Sequence, residues 1–311
     1  MRILLLGGAG LLGRELAVSL APLGELHVAT REGRVPAGLK ALSVDLDLPV
    51  RLREVVREVR PHVLVNAAAF TAVDRAEDDP ETAHRINAVA PGVLAEECLE
   101  QGTLMVHYST DYVFSGESQR AWRETDPTVS INIYGHSKLG GEEAIRLAGC
   151  PHLIFRTGWV YGARGNNFLA TMLRLAGERD TLEIVADQTG APTWTRSLAA
   201  ATNTVLSRLS ESPNPGEALD GRGGTYHLAA SGETTWCDYA RHIFELAKAN
   251  GLIGKIPEVS ATTSQAFGAK ARRPAYSVLD CSRVNQVFGI RMPAWQDSLA
   301  RCLADMAGKG R

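Results

Sequence analysis

Tyr134 and Lys138 stand four residues apart in the stretch Ile133-Tyr-Gly-His-Ser-Lys-Leu-Gly-Gly-Glu142. On a helix that spacing puts both side chains on one face, a turn apart. A phenol with a pKa of about 10 is a poor proton carrier at neutral pH, and a neighbouring ammonium favours the phenolate and moves it toward the working range. The pair predicts a group that passes a proton to a carbonyl oxygen. A second polar cluster, Tyr108-Ser-Thr-Asp-Tyr-Val-Phe114, closes an apolar run that begins at Thr103. Thr110 can bond a substrate carbonyl beside Tyr134 as an oriented donor; Ser109 and Thr110 also fit ordinary strand positions with internally satisfied hydroxyls.

Such side chains need a rigid sheet behind them. Ile3 to Leu6 is a continuous apolar run, the pattern of a strand buried on both faces of a parallel sheet. It passes into Gly7-Gly-Ala-Gly10-Leu-Leu-Gly13, after which Leu12, Leu16 and Leu20 recur at helical spacing and Gly24 stops the helix. Strand, glycine turn and helix in that order present backbone N–H groups and a positive helix end to a pyrophosphate. Gly7, Gly10, Leu11, Leu12 and Gly13 are therefore read as a cofactor loop. The second strand, Leu26 to Thr30, ends where an adenosine ribose would lie. Thr30-Arg31 in place of an acid fits a 2′-phosphate, and Arg31 fits a solvated loop equally well. A third strand from Ala41 brings Asp45 and Leu46 toward the adenine edge, and a helix from Val50 to Val59 turns Leu52, Val55, Val56 and Val59 to the sheet. The fourth strand, from His62, shrinks to Ala67-Ala-Ala69 with Thr71 beyond it. Small residues there make room for a cofactor lying across the strand end, or for tight packing under a helix. A long helix from Glu81 to Gln101 follows, with Asn87 inside its apolar pattern.

The second half alternates less regularly. A sixth strand from His152 carries Arg156-Thr-Gly-Trp-Val-Tyr161, where Trp159 suits an apolar sugar face or a core. A helix from Phe168 to Ala176, a short strand near Leu182 to Val185, a helix from Thr195 to Leu209, an exposed loop from Ser212 to Gly224 and a seventh strand from Tyr226 to Ala230 come next. Thr234-Thr-Trp236 offers a hydroxyl cap to a further helix, and a last helix runs from Trp295 to Met306 before a fraying Lys309-Gly-Arg311. Arg272 and Arg273 in Ala271-Arg-Arg-Pro274 suit a diphosphate or a solvated loop.

Composition narrows the class. The chain has 311 residues, 45% hydrophobic and 22% charged, with a formal charge of -2. That suits a soluble protein of one large domain or two intimate ones and gives no electrostatic reason to expect nucleic acid or an anionic membrane as partner. No apolar stretch has the length of a membrane span. The five cysteines, at 98, 150, 237, 281 and 302, form no C-x-x-C and no metal cluster, so they read as reduced and packed, in keeping with the cytoplasm.

Taken together, Gly7-x-x-Gly10-x-x-Gly13, Asn66-Ala-Ala-Ala69, Ser109-Thr-Asp-Tyr-Val-Phe114 and Tyr134-x-x-x-Lys138 resemble the extended short-chain dehydrogenase/reductase superfamily. Asn66 to Glu77, His107 to Phe114, Arg156 to Tyr161, Gly165-Asn-Asn-Phe168 and Asp187-Gln-Thr-Gly-Ala-Pro-Thr193 are similar, more narrowly, to the dTDP-4-dehydrorhamnose reductase family, from the first residue through Trp295. The resemblance implies NADPH or NADH as cofactor, a nucleotide sugar as substrate and frequent homodimers. It implies Tyr134 as proton donor, Lys138 on the nicotinamide ribose, Thr110 at the sugar carbonyl with Asp111 beside it, and Trp159 and Asn167 in the substrate site, to which Arg273 is added as a candidate diphosphate contact from its own guanidinium chemistry. Magnesium is reported for part of the family, with Glu15 as a possible contact. The same residues suit another nucleotide-deoxysugar 4-ketoreductase or an epimerase, and the fold has a non-catalytic NADP-binding relative in the regulatory subunit of methionine adenosyltransferase. The expected architecture is α/β: a doubly wound parallel Rossmann sheet over residues 1–162, with 192–247 returning to it, and a smaller mixed α/β substrate lobe from 163–191 and 248–311.

Overall fold

The computed structural model describes residues 1–33 and 40–308; the expected fraying of Lys309 to Arg311 lies outside the described residues. The apolar runs form the strands that their patterns predict. In chain order, β1 (Arg2–Leu6), α1 (Leu11–Leu20), β2 (Glu25–Thr30), β3 (Lys40–Ser43), α2 (Pro49–Val59) and β4 (Val63–Asn66) make the first half of the nucleotide fold. The next elements are α3 (Val73–Asp78), α4 (Pro80–His84), a π-helical turn (Arg85–Val89), α5 (Ala90–Gln101), β5 (Leu104–Thr110), α6 (Ile133–Ala148) and β6 (His152–Thr157). The helix expected to run unbroken from Glu81 to Gln101 is thus interrupted by the wider turn that carries Asn87. The fifth strand ends at Thr110, earlier than the expected Phe114, because the chain turns at Asp111–Val113.

Beyond β6 come β7 (Val160–Tyr161), α7 (Phe168–Glu178), β8 (Thr181–Val185), β9 (Thr189–Gly190), β10 (Thr193–Trp194), α8 (Thr195–Leu209) and β11 (Gly224–His227). The chain finishes through β12 (Thr234–Thr235), α9 (Trp236–Ala249), β13 (Glu258–Thr262), α10 (Ser264–Phe267), α11 (Ser282–Phe288) and α12 (Trp295–Met306). Seven strands form one parallel sheet in the order β11-β6-β5-β4-β1-β2-β3. Successive strands step outward in both directions from the β1–β4 junction, and in such sheets ligands bind outside the carboxyl ends at that junction.

Each face of the sheet buries a separate core. Leu5, Val28, Val65, Val106 and Phe155 pack against α1 and α8, while Leu4, Leu64, Met105 and Ile154 pack against α2, α5 and α6. A third core gathers Leu169, Met172, Leu182, Ile184, Ile243, Phe244, Trp295 and Leu303 around α7, β8, α9 and α12. The helix α9, placed by sequence with the returning segment 192–247, packs in this third core: its apolar face needs α7 and α12, not the sheet, to cover it. The strand β13, which sequence reading missed, pairs in parallel with β8 and extends the small lobe.

Candidate active site

The glycine turn is built from contacts that leave no room for side chains. Gly7 takes φ 82°, and a Cβ there would sit 2.7 Å from Ala68 N. At Gly13 a Cβ would meet the Gly7 carbonyl oxygen at 2.0 Å. Gly7 and Gly8 both donate to Ala29 O, and Gly10 donates to Gly7 O, which closes the turn. Gly10 caps α1 with no side-chain hydrogen bond, and the first turn of α1 carries no acid. Its end N–H groups and positive dipole suit a pyrophosphate, so the residues present fit a dinucleotide. Leu11 lies against Gly162 and Gly165, and Leu12 packs on the core beneath the turn.

Around this turn the remaining expected cofactor residues take distinct places. Ala67 and Ala68 pack toward opposite cores, and Ala69 is half-buried before an exposed Thr71. Thr30 is buried at the end of β2; Arg31 is 76% exposed, its Nε 3.9 Å from Asp45 Oδ2. Arg31 thus presents an exposed guanidinium at the end of β2. Leu46 packs against the core that includes Ala29 and Leu52.

At the carboxyl end of β5, Thr110 Oγ1 donates to Asp111 Oδ1 at 3.0 Å and accepts from Tyr112 N at 3.2 Å. The Tyr134 phenol, in the first turn of α6, is close enough to the Thr110 hydroxyl to feel it. The helix begins there because Asn132 Oδ1 accepts from Gly135 N at 2.8 Å. Burial pushes the Tyr134 phenol up to about 12, with the Asp111 charge adding to the rise and the Thr110 hydroxyl opposing it. Asp111 is 2% exposed, and burial raises its carboxyl to about 6 against hydrogen bonds from Ser277 and Thr110. Its Oδ2 has no hydrogen-bond partner among the described residues and lies against Gly158.

The expected pairing of Lys138 with Tyr134 does not form. Lys138 is 2% exposed, and its Nζ donates to Tyr108 O at 2.7 Å and lies 3.0 Å from His107 Nε2. The two side chains start on one helix face, but the four-carbon stem of the lysine carries its amine to β5. The phenol is consequently raised, not lowered, and stays protonated at neutral pH, which is the form a proton donor needs. Burial brings the Lys138 ammonium down to about 8 against the pull of Glu142. His107, and Asn66 behind it, went unassigned in the sequence reading; a histidine inside an otherwise apolar strand was the available signal. Asn87 was noted only as buried: its amide bonds Phe70 N, Phe70 O and Ser137 Oγ, tying the π-helical turn to the loop after β4 and to α6.

The expected substrate residues are brought together only in part. Arg273 donates to Asp74 Oδ2 at 2.8 Å, and its charge acts on Tyr112, whose ring meets Tyr134 edge-on at 5.8 Å, so it lies at the edge of the site. Trp159 adopts φ 50° and stacks on Trp236 with ring planes 1° apart, beside Phe168. Trp236 gave no motif and was missed. Asn167 caps α7 through Ala170 N and donates to Gly162 O and Gly165 O, so its amide is taken up in shaping a loop. Glu15, the possible magnesium contact, faces the Arg196 guanidinium at 3.5 Å.

The RmlD substrate binding domain model matches residues 1–307. The chain belongs to the dTDP-4-dehydrorhamnose reductase family. It is 42% identical to the dTDP-4-dehydrorhamnose reductase of Escherichia coli (strain K12) over 306 residues, 98% of each chain. It is equally 42% identical over 310 residues to that of Burkholderia thailandensis, with 98% of this chain and 99% of that one covered. The crystal structure of dTDP-4-dehydrorhamnose reductase from Bacillus anthracis in complex with NADP superimposes with a TM-score of 0.85 at 32% identity, covering 98% and 99% of the two chains.

Proposed function

We propose that the protein reduces the 4-keto group of dTDP-4-dehydro-6-deoxy-L-mannose to dTDP-L-rhamnose with NADPH or NADH, the final step of dTDP-rhamnose biosynthesis. The full-length identity to curated reductases carries the reading, and the protonated Tyr134 beside Thr110 is the geometry it needs. The dihydronicotinamide supplies the hydride. Tyr134 would pass its proton to the sugar oxygen, and the Thr110 hydroxyl, which in this structure donates to Asp111, would turn its hydrogen to the charge developing there. Lys138 holds the cofactor ribose, Arg273 reaches toward the diphosphate, and Trp159 covers the deoxysugar.

The nucleotide is assigned to the sheet and the sugar to the third core and its loops. An epimerase, another deoxysugar 4-ketoreductase or a regulatory NADP-binding subunit gains no comparable support. We place the protein in the cytoplasm, supported by five unpaired cysteine thiols of which four are buried; no helix among the described residues is long and apolar enough to cross a membrane. Homodimerisation is supported by exposed apolar side chains at Leu99 on α5 and Leu147 on α6.

The test is NADPH oxidation with the keto-sugar generated in place by the upstream enzymes. Tyr134→Phe is expected to lose about two to four orders of magnitude in turnover, the usual range for a general acid. No turnover by a folded wild type that binds NADPH overturns the substrate assignment.

A further inference from the structure

One row of hydrogen bonds runs from the glycine turn to the catalytic helix. Ala68, whose backbone abuts Gly7, donates to Asn66 Oδ1 at 3.1 Å; Asn66 Nδ2 lies 3.2 Å from His107 Nδ1; and His107 Nε2 lies 3.0 Å from Lys138 Nζ. Asn66 pairs with Leu6 on one side and with His107 on the other, so the row starts beside β1, crosses from β4 to β5 and ends on α6.

The direction of each bond is fixed by what its atoms can do. A peptide N–H only donates, so the Asn66 atom facing Ala68 is oxygen and the atom facing His107 is the amide nitrogen, which also only donates. His107 Nδ1 must then present its lone pair. Burial holds the imidazole well below its ordinary range, so it is neutral and carries one hydrogen, on Nε2. That hydrogen points at Lys138. A nitrogen that accepts a hydrogen bond has a free lone pair, so Nζ in this arrangement is an amine whose own N–H goes to Tyr108 O. An ammonium would set donor against donor. To accommodate one, the imidazole must move its hydrogen to Nδ1 and Asn66 must turn over, which leaves Ala68 N–H facing an amide NH2.

We propose that Asn66 and His107 bias the charge of Lys138: they favour its uncharged amine form in the nucleotide-free protein at mildly alkaline pH, and binding of the anionic dinucleotide there is coupled to uptake of a proton at Nζ. The proton comes from solvent, R–NH2 plus H3O+ giving R–NH3+ plus water, and no electrons move. The pyrophosphate adds negative charge that favours the ammonium. Of the other charged groups nearby, Glu142 favours the ammonium already, and the carboxylates are spoken for. Glu142, one turn on, is held by Arg156 and Arg146; Asp111 lies past the end of β5 at Thr110; and Glu77 on α3 accepts from Ile133 N. Only the histidine opposes the ammonium by direct contact. His107 and Asn66 are positioning residues, since both act through Lys138.

The inference rests on the proposed function only for the anion that drives the uptake. Two measurements test it, and neither uses the sugar. In the nucleotide-free protein at mildly alkaline pH, labelled with nitrogen-15 at histidine and assigned through the backbone, His107 is expected as the Nε2–H tautomer; an Nδ1–H tautomer overturns the proposal. Calorimetry of NADP+ binding at pH 8 in buffers of different ionisation enthalpy is expected to show proton uptake. The affinity of the wild type is expected to fall about tenfold between pH 7 and pH 9, by linkage to a group that binds its proton more tightly in the complex. Asn66→Asp and His107→Gln each give Lys138 an acceptor to face, so both lose the uptake and flatten the pH dependence. Uptake unchanged in both folded variants, or absent from the wild type, overturns the proposal. If neither variant folds, the tautomer decides alone. A chain that binds no NADP+ instead contradicts the functional reading, and the tautomer still answers this one.

Discussion

Two charged side chains one turn apart on α6 are buried alike and treated in opposite ways. Glu142 is 0% exposed and receives Arg156 at 2.6 Å, Arg146 at 3.1 Å and Ser109 Oγ at 2.5 Å. Burial alone would raise its carboxyl, but those three partners hold it below the ordinary value. Lys138 is as deeply placed, yet the groups bonded to it are a carbonyl and an imidazole, and its ammonium is brought down to about 8. A buried charge with matched partners ties β5, β6 and α6 together. A buried charge without a bonded counter-ion sits where the chemistry needs a group near its titration point.

The contrast is sharpest under substitution. Lys138→Met is expected to lower turnover by at least about two orders of magnitude, the scale of a lost proton-handling group, with no loss in melting temperature. Glu142→Gln should do the reverse. Removing one partner of a buried ion pair costs about 3–5 kcal/mol, measured by urea unfolding, while turnover per folded molecule stays within a few-fold. A Glu142→Gln enzyme that is stable but inactive would break the comparison.

Asp111 extends it to a carboxyl with neutral partners, hydroxyls and backbone N–H groups. Its folded value of about 6 exceeds the ordinary 3.8, so the folded state binds the proton more tightly. The stability this gives is complete below pH 3.8 and is lost as pH rises through 6. Asp111→Asn is therefore expected to stabilise the protein by up to roughly 3 kcal/mol at pH 8, with the gain mostly gone at pH 4. A gain of equal size at both pH values would assign the effect to packing. The smallest effect is expected at Asn167, where loss of a helix cap in Asn167→Ala costs about 1 kcal/mol and leaves the sugar KM unchanged. A raised KM with unaltered stability would restore Asn167 as a substrate ligand.

Much of this was legible in the residues. The run Ile3 to Leu6 followed by Gly7, Gly10 and Gly13 specifies a strand, a side-chain-free turn and a helix, because strand burial and turn sterics are local properties. The helix Thr195–Leu209 and the Thr235 cap of α9 follow their patterns. What failed to show depends on where long side chains go. Helical spacing placed Lys138 beside Tyr134, but its amine is claimed by a carbonyl on a strand thirty positions earlier in sequence. Asn87 reads as an oddity within one helix because a π-helical turn leaves no compositional mark. The Trp159–Trp236 stack joins residues far apart in sequence, which no spacing rule connects.

Trp159 also carries a mechanical consequence. It is the point at which the chain leaves the large sheet through Thr157 and enters the small lobe at Val160, and it makes that passage at φ 50°, outside the regions an indole-bearing residue prefers. Such a backbone costs on the order of 1–3 kcal/mol and persists only while its surroundings enforce it. Here the enforcing contacts are the face of Trp236 on α9 and the bare backbone of Gly190. The turn from β6 to β7 is thus latched by two neighbours: without the Trp236 face and the Gly190 backbone, nothing would hold Trp159 at this φ.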